Sequence, residues 1–305
     1  MTTNLKVSLE KLEDLVTNKN NANLEIIKSH TLEILLSMSS DPAFLSEVEH
    51  RAKLLEAFIH SLDVPALRHK ILLLFVNISA EKNLANKLVE LTIVRALYQI
   101  LFDAMKRINP EHLDVTDSLL VDKTEKEKLT LEEKNGGNVE EKTFEISQSK
   151  IKKADQLKML DLDTIRLSIM ILMNCSLFSN TARVEILGID TESLTETEEK
   201  PCKDIEEKLR NLKIVIDWAR HERVGHLIKN FIFVLTNISS DPELRSLLVE
   251  HSLPHFTALF EFQEKQKTDF DSFLQLCQIF RNFSFEYENP KLKAAFADTQ
   301  IIGSI

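Results

Sequence analysis

The stretch Val234–His251, VLTNISSDPELRSLLVEH, decides how the chain is read. It contains Asn237-Ile238-Ser239, formally an acceptor for N-linked sugar. The same Asn-x-Ser pattern stands at Asn77-Ile78-Ser79, Asn174-Cys175-Ser176 and Asn282-Phe283-Ser284, and nowhere else. Each copy closes an apolar run and is followed by a polar break and a second amphipathic segment: KILLLFVNISAEKNLANKLVEL, LSIMILMNCSLFSNTARVEIL, KNFIFVLTNISSDPELRSLLVEH and QLCQIFRNFSFEYENPKLKAAF. A fifth, weaker copy lies upstream, where EILLSMSSDP matches FVLTNISSDP with Ser37 in the place of Asn237. Repetition at a fixed period is the signature of stacked helical units.

The intervals from Ser37 to Asn77, Asn174, Asn237 and Asn282 are 40, 97, 63 and 45 residues. The short intervals give a period of roughly 40 to 45, within the armadillo and HEAT range. The long ones must then contain insertions. Composition places the first at residues 111–157, whose segment DKTEKEKLTLEEKNGGNVEEKTFEISQSKIKK is about half charged and unable to bury enough apolar surface to offset ordering. The second is the short acidic segment 189–208. Residues 1–110 and 158–305 are accordingly read as two stretches of one repeat array, joined across a charged, disordered insertion.

Composition agrees with helices. The chain has 305 residues, 43% of them hydrophobic, but only 5 Gly and 7 Pro, too few turn residues for many hairpins. Three cysteines, Cys175, Cys202 and Cys277, are odd in number and widely spaced, so neither a disulfide framework nor a Cys-x-x-Cys site is expected. No run is long enough for a membrane span and the N-terminus lacks an apolar leader, so the expectation is a soluble cytoplasmic or nuclear protein, not a secreted one. In that compartment the Asn-x-Ser sites never meet the glycosylation machinery. A net charge of −10 disfavours nucleic acid as a partner.

The breaks are explained by capping. Asp41-Pro42 and Asp241-Pro242 place an acceptor before a proline at the first helical position, where its missing N–H costs nothing. Asn289-Pro290 does the same, and Ser79 and Ser179 are the candidate caps after the other two runs.

On these residues the chain resembles the armadillo-repeat family at its HEAT-like margin. The resemblance rests on long third helices ending in LFVNIS, ILMNCS, VLTNIS and IFRNFS, each followed by a polar turn and a short first helix. The family's Gly-Ala-Ile-Pro corner survives only as HSLPHF around Pro254. The resemblance implies an all-α, right-handed α-α superhelix of about five repeats. In family members that hold extended peptides, the asparagine lies on the concave surface and bonds the ligand's main chain. Carried over, this nominates Asn77, Asn174, Asn237 and Asn282. An Asn in the last helical turn with Ser two residues on is equally a local corner device, and both roles stay open.

Importin-α-like arrays carry Trp four residues before the Asn; here those positions are Leu73, Met170, Phe233 and Gln278, so nuclear-signal binding is not implied. His69, Lys70, Arg166, Lys229 and Arg281 make the presumed groove mildly basic, suited to an acidic or extended segment.

A search for chemistry yields no constellation. His221 and His226 in HERVGH are one residue too far apart for a zinc helix, and His251 and His255 flank Pro254, expected to interrupt the helix, with no third ligand. Cys175 and Cys277 read as core residues, and Asp161 and Asp163 as the acidic start of a helix. No metal or cofactor is expected.

The function read from the sequence is therefore a non-enzymatic scaffold or adaptor that binds a partner protein in a groove lined by Leu73, Met170, Phe233, Arg166, Lys229 and the four asparagines. The alternatives are a structural subunit of a larger assembly, suggested by apolar Phe296, Ile301, Ile302 and Ile305 at the last unit, and an armadillo-type chaperone cofactor. A nucleic-acid-binding solenoid ranks below these.

Overall fold

The computed structural model describes residues 2–18, 23–108, 140–189, 205, 209–220, 225–266 and 270–298; the side chains at 2, 3, 140–158, 211, 225–229, 266 and 298 are outside that description. Among the described residues there is no strand. The helices are α1 Thr2–Thr17, α2 Leu24–Met38, α3 Pro42–Val48, α4 Ala52–Ile59, α5 Pro65–Ser79, α6 Lys82–Glu90, α7 Ile93–Ile108, α8 Glu140–Phe178, α9 Asn180–Ile186, α10 Arg210–Trp218, α11 Gly225–Ser239, α12 Pro242–Gln266, α13 Phe270–Phe283 and α14 Pro290–Asp298, with a 3₁₀ turn at Ser284–Glu286. None is long and apolar enough to cross a membrane.

The helices that end in the Asn-x-Ser pattern, with α2 as their first member, pack in series: α2 on α5, α5 on α8, α8 on α11, α11 on α13. Their apolar residues recur at three- and four-residue steps and are fully buried, as at Ile71, Leu74, Phe75 and Ile78 of α5 or Phe231, Val234, Leu235 and Ile238 of α11. Burial of each such side chain contributes about 1.5–3 kcal/mol. Behind them the shorter helices form a second tier, α1 on α4 and α10 on α12, within one continuous core.

The insertions are largely outside the described residues, 109–139 in the first and 190–204 in the second. Helix α8 nevertheless begins at Glu140, inside the segment read as a charged insertion, and takes in residues 140–157. The run EEKTFEISQSKIKKADQ holds no Gly or Pro and is rich in helix formers, so nothing stops the third helix from extending backwards into it. Asp161 and Asp163 thus lie inside a helix, not at its start. Asp161 receives both Nε and Nη2 of Arg107 at 2.8 to 3.1 Å, tying α7 to α8, and Asp163 pairs with Arg166 at 3.1 Å.

The caps form as read at four of five places. The Asp41 side chain accepts from Ala43 N at 2.8 Å, Asp241 from Glu243 N at 3.1 Å, Asn289 from Lys291 N at 2.9 Å and Ser179 from Ala182 N at 3.2 Å. Ser79 does not cap α6. Glu81 holds that position without a side-chain bond, and the Ser79 hydroxyl donates backwards to Val76 O at 3.2 Å.

The corners between short helices differ from the reading most. Two use the left-handed conformation beyond a helix end, at Thr92 (φ 63°) after α6 and Gly188 (φ 70°) after α9. At 251–254, where a corner and a break were expected, α12 continues through Pro254. Proline removes the N–H that would bond Glu250 O, and Lys291 Nζ of α14 takes that carbonyl instead at 3.0 Å. A neighbouring element thus satisfies the acceptor the proline leaves free.

Candidate functional site

Each asparagine of the pattern sits in the last turn of its helix, one helix away from the serine of the previous copy. Asn77 Nδ2 donates to Ser39 Oγ at 2.7 Å, Asn174 Nδ2 to Ser79 Oγ at 2.9 Å, Asn237 Nδ2 to Ser176 Oγ at 3.0 Å and Asn282 Nδ2 to Ser239 Oγ at 2.9 Å. Those serines in turn donate to the carbonyl three residues back, Leu36, Val76, Met173 and Thr236, at 2.8 to 3.2 Å. Asn174 and Asn237 also reach the Val76 and Met173 carbonyls at 3.4 Å.

The result is a ladder of side-chain bonds down the stack. Near each helix end one carbonyl gains side-chain donors, from the serine of the same helix and, at Val76 and Met173, also from the asparagine of the next one, so Asn and Ser two residues apart face opposite neighbours. Ser79, Ser176 and Ser239 are 0% exposed and Ser39 5%, so each hydroxyl must both donate and accept inside the protein. Ser37, in the asparagine position of the first copy, has no serine before it to reach and donates to Ile34 O of its own helix at 2.7 Å.

The ladder asparagines differ in exposure. Asn77 is exposed, Asn174 and Asn237 are half-buried, and Asn282 is 8% exposed with its Oδ1 accepting from Gln278 Nε2 at 3.0 Å. Asn282 is therefore engaged at both ends of its amide. Oδ1 of the other three makes no bond among the described residues.

One turn before the ladder, Leu73, Met170 and Phe233 are brought to the same side of successive helices, each half-buried. Of the cations named with them, Lys70 and Arg166 are paired with carboxylates. Lys70 bonds Glu33 Oε1 at 2.5 Å and Ser29 Oγ at 2.9 Å on the previous helix, and this ammonium holds the Glu33 carboxyl below the usual glutamate range. Arg166 is exposed and paired with Asp163; the Lys229 side chain is outside the described residues. Arg281 has no ionic partner among the described residues.

Other candidates resolve into packing. Burial, with Glu185 adding, pushes the Cys175 thiol up to about 12, leaving it unreactive as a nucleophile. His255 Nδ1 lies 3.0 Å from Asp217 Oδ1, and among the described residues no group of three His, Cys, Asp or Glu is placed to hold a metal ion. The serine half of the ladder was missed from the sequence, although Ser at the second position after every Asn was visible there. Comparison with protein-family models and with curated proteins finds no match for this chain.

Proposed function

We propose that the chain is a non-enzymatic scaffold, a right-handed armadillo/HEAT-like superhelix of about five units that binds a partner protein along the face beside the ladder. The observation that carries this reading is the register of Leu73, Met170 and Phe233: apolar, incompletely buried, and repeated at one position of three successive helices. Three carboxamide oxygens stand one turn away on the same helices, at Asn77, Asn174 and Asn237. An acceptor row beside apolar side chains suits an extended segment that offers main-chain N–H groups and alternate apolar side chains. The pairing of Lys70 and Arg166 moves the reading away from an acidic segment, and Asn282, buried and doubly bonded, drops out of the contact set. Cytoplasm or nucleus is the compartment that fits sequon asparagines committed to internal bonds.

The test is the triple variant Leu73→Asp, Met170→Asp, Phe233→Asp, compared with wild type by quantitative affinity capture. These side chains are partly solvated, so the helical circular-dichroism signal should be retained while specific partners fall at least tenfold. An unchanged partner set with the fold intact would sink the groove reading. Structural-subunit function is the second reading, favoured by the exposure of apolar Phe270 and Leu274 on α13. Phe296, offered as exposed from the sequence, instead packs against Phe280 at a ring distance of 6.3 Å, and Ile301, Ile302 and Ile305 are outside the described residues.

A further inference from the structure

We infer that the cleft between α3 and α6 is a docking pocket for an arginine side chain of a partner protein, held by Glu81 and Glu49 against apolar walls. This inference is independent of the groove reading, which uses α5, α8 and α11.

The cleft has a volume of about 250 Å³, and its walls include Pro42, Leu45 and Leu84, with Glu49, Glu81 and Asn83 as polar groups. Pockets for whole small molecules run about 300–1,000 Å³, so this one is sized for a side chain. Among the described residues no cation lines it, and the Glu81 side chain makes no hydrogen bond or ion pair. Glu49 Oε2 accepts a long bond from Asn83 Nδ2, at 3.4 Å.

Later copies of the repeat show what such carboxylates take. Glu81 is the fourth residue after Asn77, as Asp241 is after Asn237 and Glu286 after Asn282. Those two each face an arginine from the helix before: Arg183 Nη1 lies 3.6 Å from Asp241 Oδ2, and Arg245 Nε 2.9 Å from Glu286 Oε1. Both arginines stand four residues after a cap, Ser179 or Asp241, whereas Leu45 stands four residues after the cap Asp41. Glu49 has a counterpart as well. It is the centre of a Val-Glu-His triplet, as Glu250 is, and Glu250 is held by Lys291, two residues after the cap Asn289. Two residues after the cap Glu81 stands Asn83. The joint of α3 with α6 thus keeps both carboxylates of the joint of α12 with α14 and has Leu45 and Asn83 in place of both cations.

A cation from outside completes this arrangement. Arginine fits better than lysine, because the counterparts of Glu81 take arginine and its fork of donors can serve two carboxylates at once. An exposed ion pair by itself contributes little, so contact of the arginine stem with Pro42, Leu45 and Leu84 is part of the fit. Residues 109–139 hold four lysines and no arginine, so they lack the side chain this pocket suits. A net charge of −10 opposes a second copy and favours a basic segment of another protein.

The probe is an acetylated, amidated peptide of glycine and serine with one central arginine, titrated into the isotope-labelled full chain and followed by amide NMR shifts. Saturable shifts at Glu49, Glu81 and Asn83 are expected, with a dissociation constant in the millimolar range. Citrulline in place of the arginine keeps the shape without the charge and should weaken binding more than tenfold; lysine should weaken it about threefold. Leu45→Arg supplies the arginine of the later joints and should abolish binding, with the helical circular-dichroism signal kept because Leu45 is only half-buried. Glu81→Gln, at an exposed position, should weaken binding at least fivefold and keeps the test open if Leu45→Arg fails to fold. The groove triple variant should bind the peptide as wild type does, which separates this inference from the previous one. Absence of saturable shifts, equal binding of the citrulline peptide, or unchanged binding by either variant would overturn it. So would the same shifts produced by calcium or magnesium ions alone, which assign the carboxylates to a metal, or self-association lost in Glu81→Gln, which assigns the pocket to a second copy. Binding seen only after Lys123, Lys126, Lys128 and Lys134 are changed to glutamine would overturn it too, by assigning the pocket to the chain's own insertion.

Discussion

A single carboxamide makes different contributions along this stack, because the cost of losing a hydrogen bond depends on whether water can replace it. Asn77 is exposed, so truncating it opens Ser39 Oγ to solvent, and Asn77→Ala should cost under about 1 kcal/mol. Asn282 is buried and holds both Ser239 Oγ and Gln278 Nε2. Asn282→Ala strands those partners and should cost about 2 kcal/mol or more. Urea unfolding of the two variants checks the order, and equal losses would mean that burial does not set the value of a rung. Two glutamates test the sign of linkage. The Lys291 ammonium, bonded to Glu250, holds that carboxyl below its ordinary range, so its contribution is present above that range and lost as pH falls through the lowered value. Burial raises Glu185, so it destabilises at neutral pH and the penalty is relieved on acidification. Glu250→Gln should lower the melting temperature at pH 7 and Glu185→Gln should raise it, with both differences shrinking towards pH 3.

At the scale of elements, equivalent corners are solved with different residues. Thr92 and Gly188 both occupy the left-handed position after a short helix, where a β-branched residue is strained by about 1 kcal/mol or more and glycine is not. Thr92→Gly should therefore stabilise by about 0.5–1 kcal/mol and Gly188→Ala destabilise by about 1 kcal/mol, measurable by thermal or denaturant unfolding. The third such corner does not turn at all. There the helix continues through Pro254 because Lys291, from an element nearly forty residues later, takes the carbonyl the proline abandons. Local sequence argued for a break, and a tertiary contact removed the reason for one.

For the whole molecule, stacking in series means that each helix of the row depends on its two neighbours, and the terminal ones on one. Helix α8 packs against α5, α6, α7, α9 and α11, whereas α14 packs mainly on α12. Amide exchange should be slowest in the Ile165–Cys175 part of α8 and fastest in α1 and α14, with α13 intermediate. Uniform protection from end to end would contradict this picture.

The all-helical class and the positions of the long helices were legible in the sequence, because the apolar step of three and four residues and the Asp-Pro and Asn-Pro caps act within one segment. The repeated Asn-x-Ser was legible as well, but its meaning was not. Which way Asn237 points, and that Ser176, 61 residues earlier, receives it at 3.0 Å, depends on how one helix lies against the next. The same holds for the pairing of Lys70 with Glu33, which removed a charge the sequence had offered to a ligand, and for the continuation of α12 through Pro254. Sequence by itself determined what is set by neighbours along the chain: helices, caps and the repeat. Only tertiary structure decided which polar atoms were used up between helices and which apolar side chains stayed partly open, as Leu73, Met170 and Phe233 do along one face.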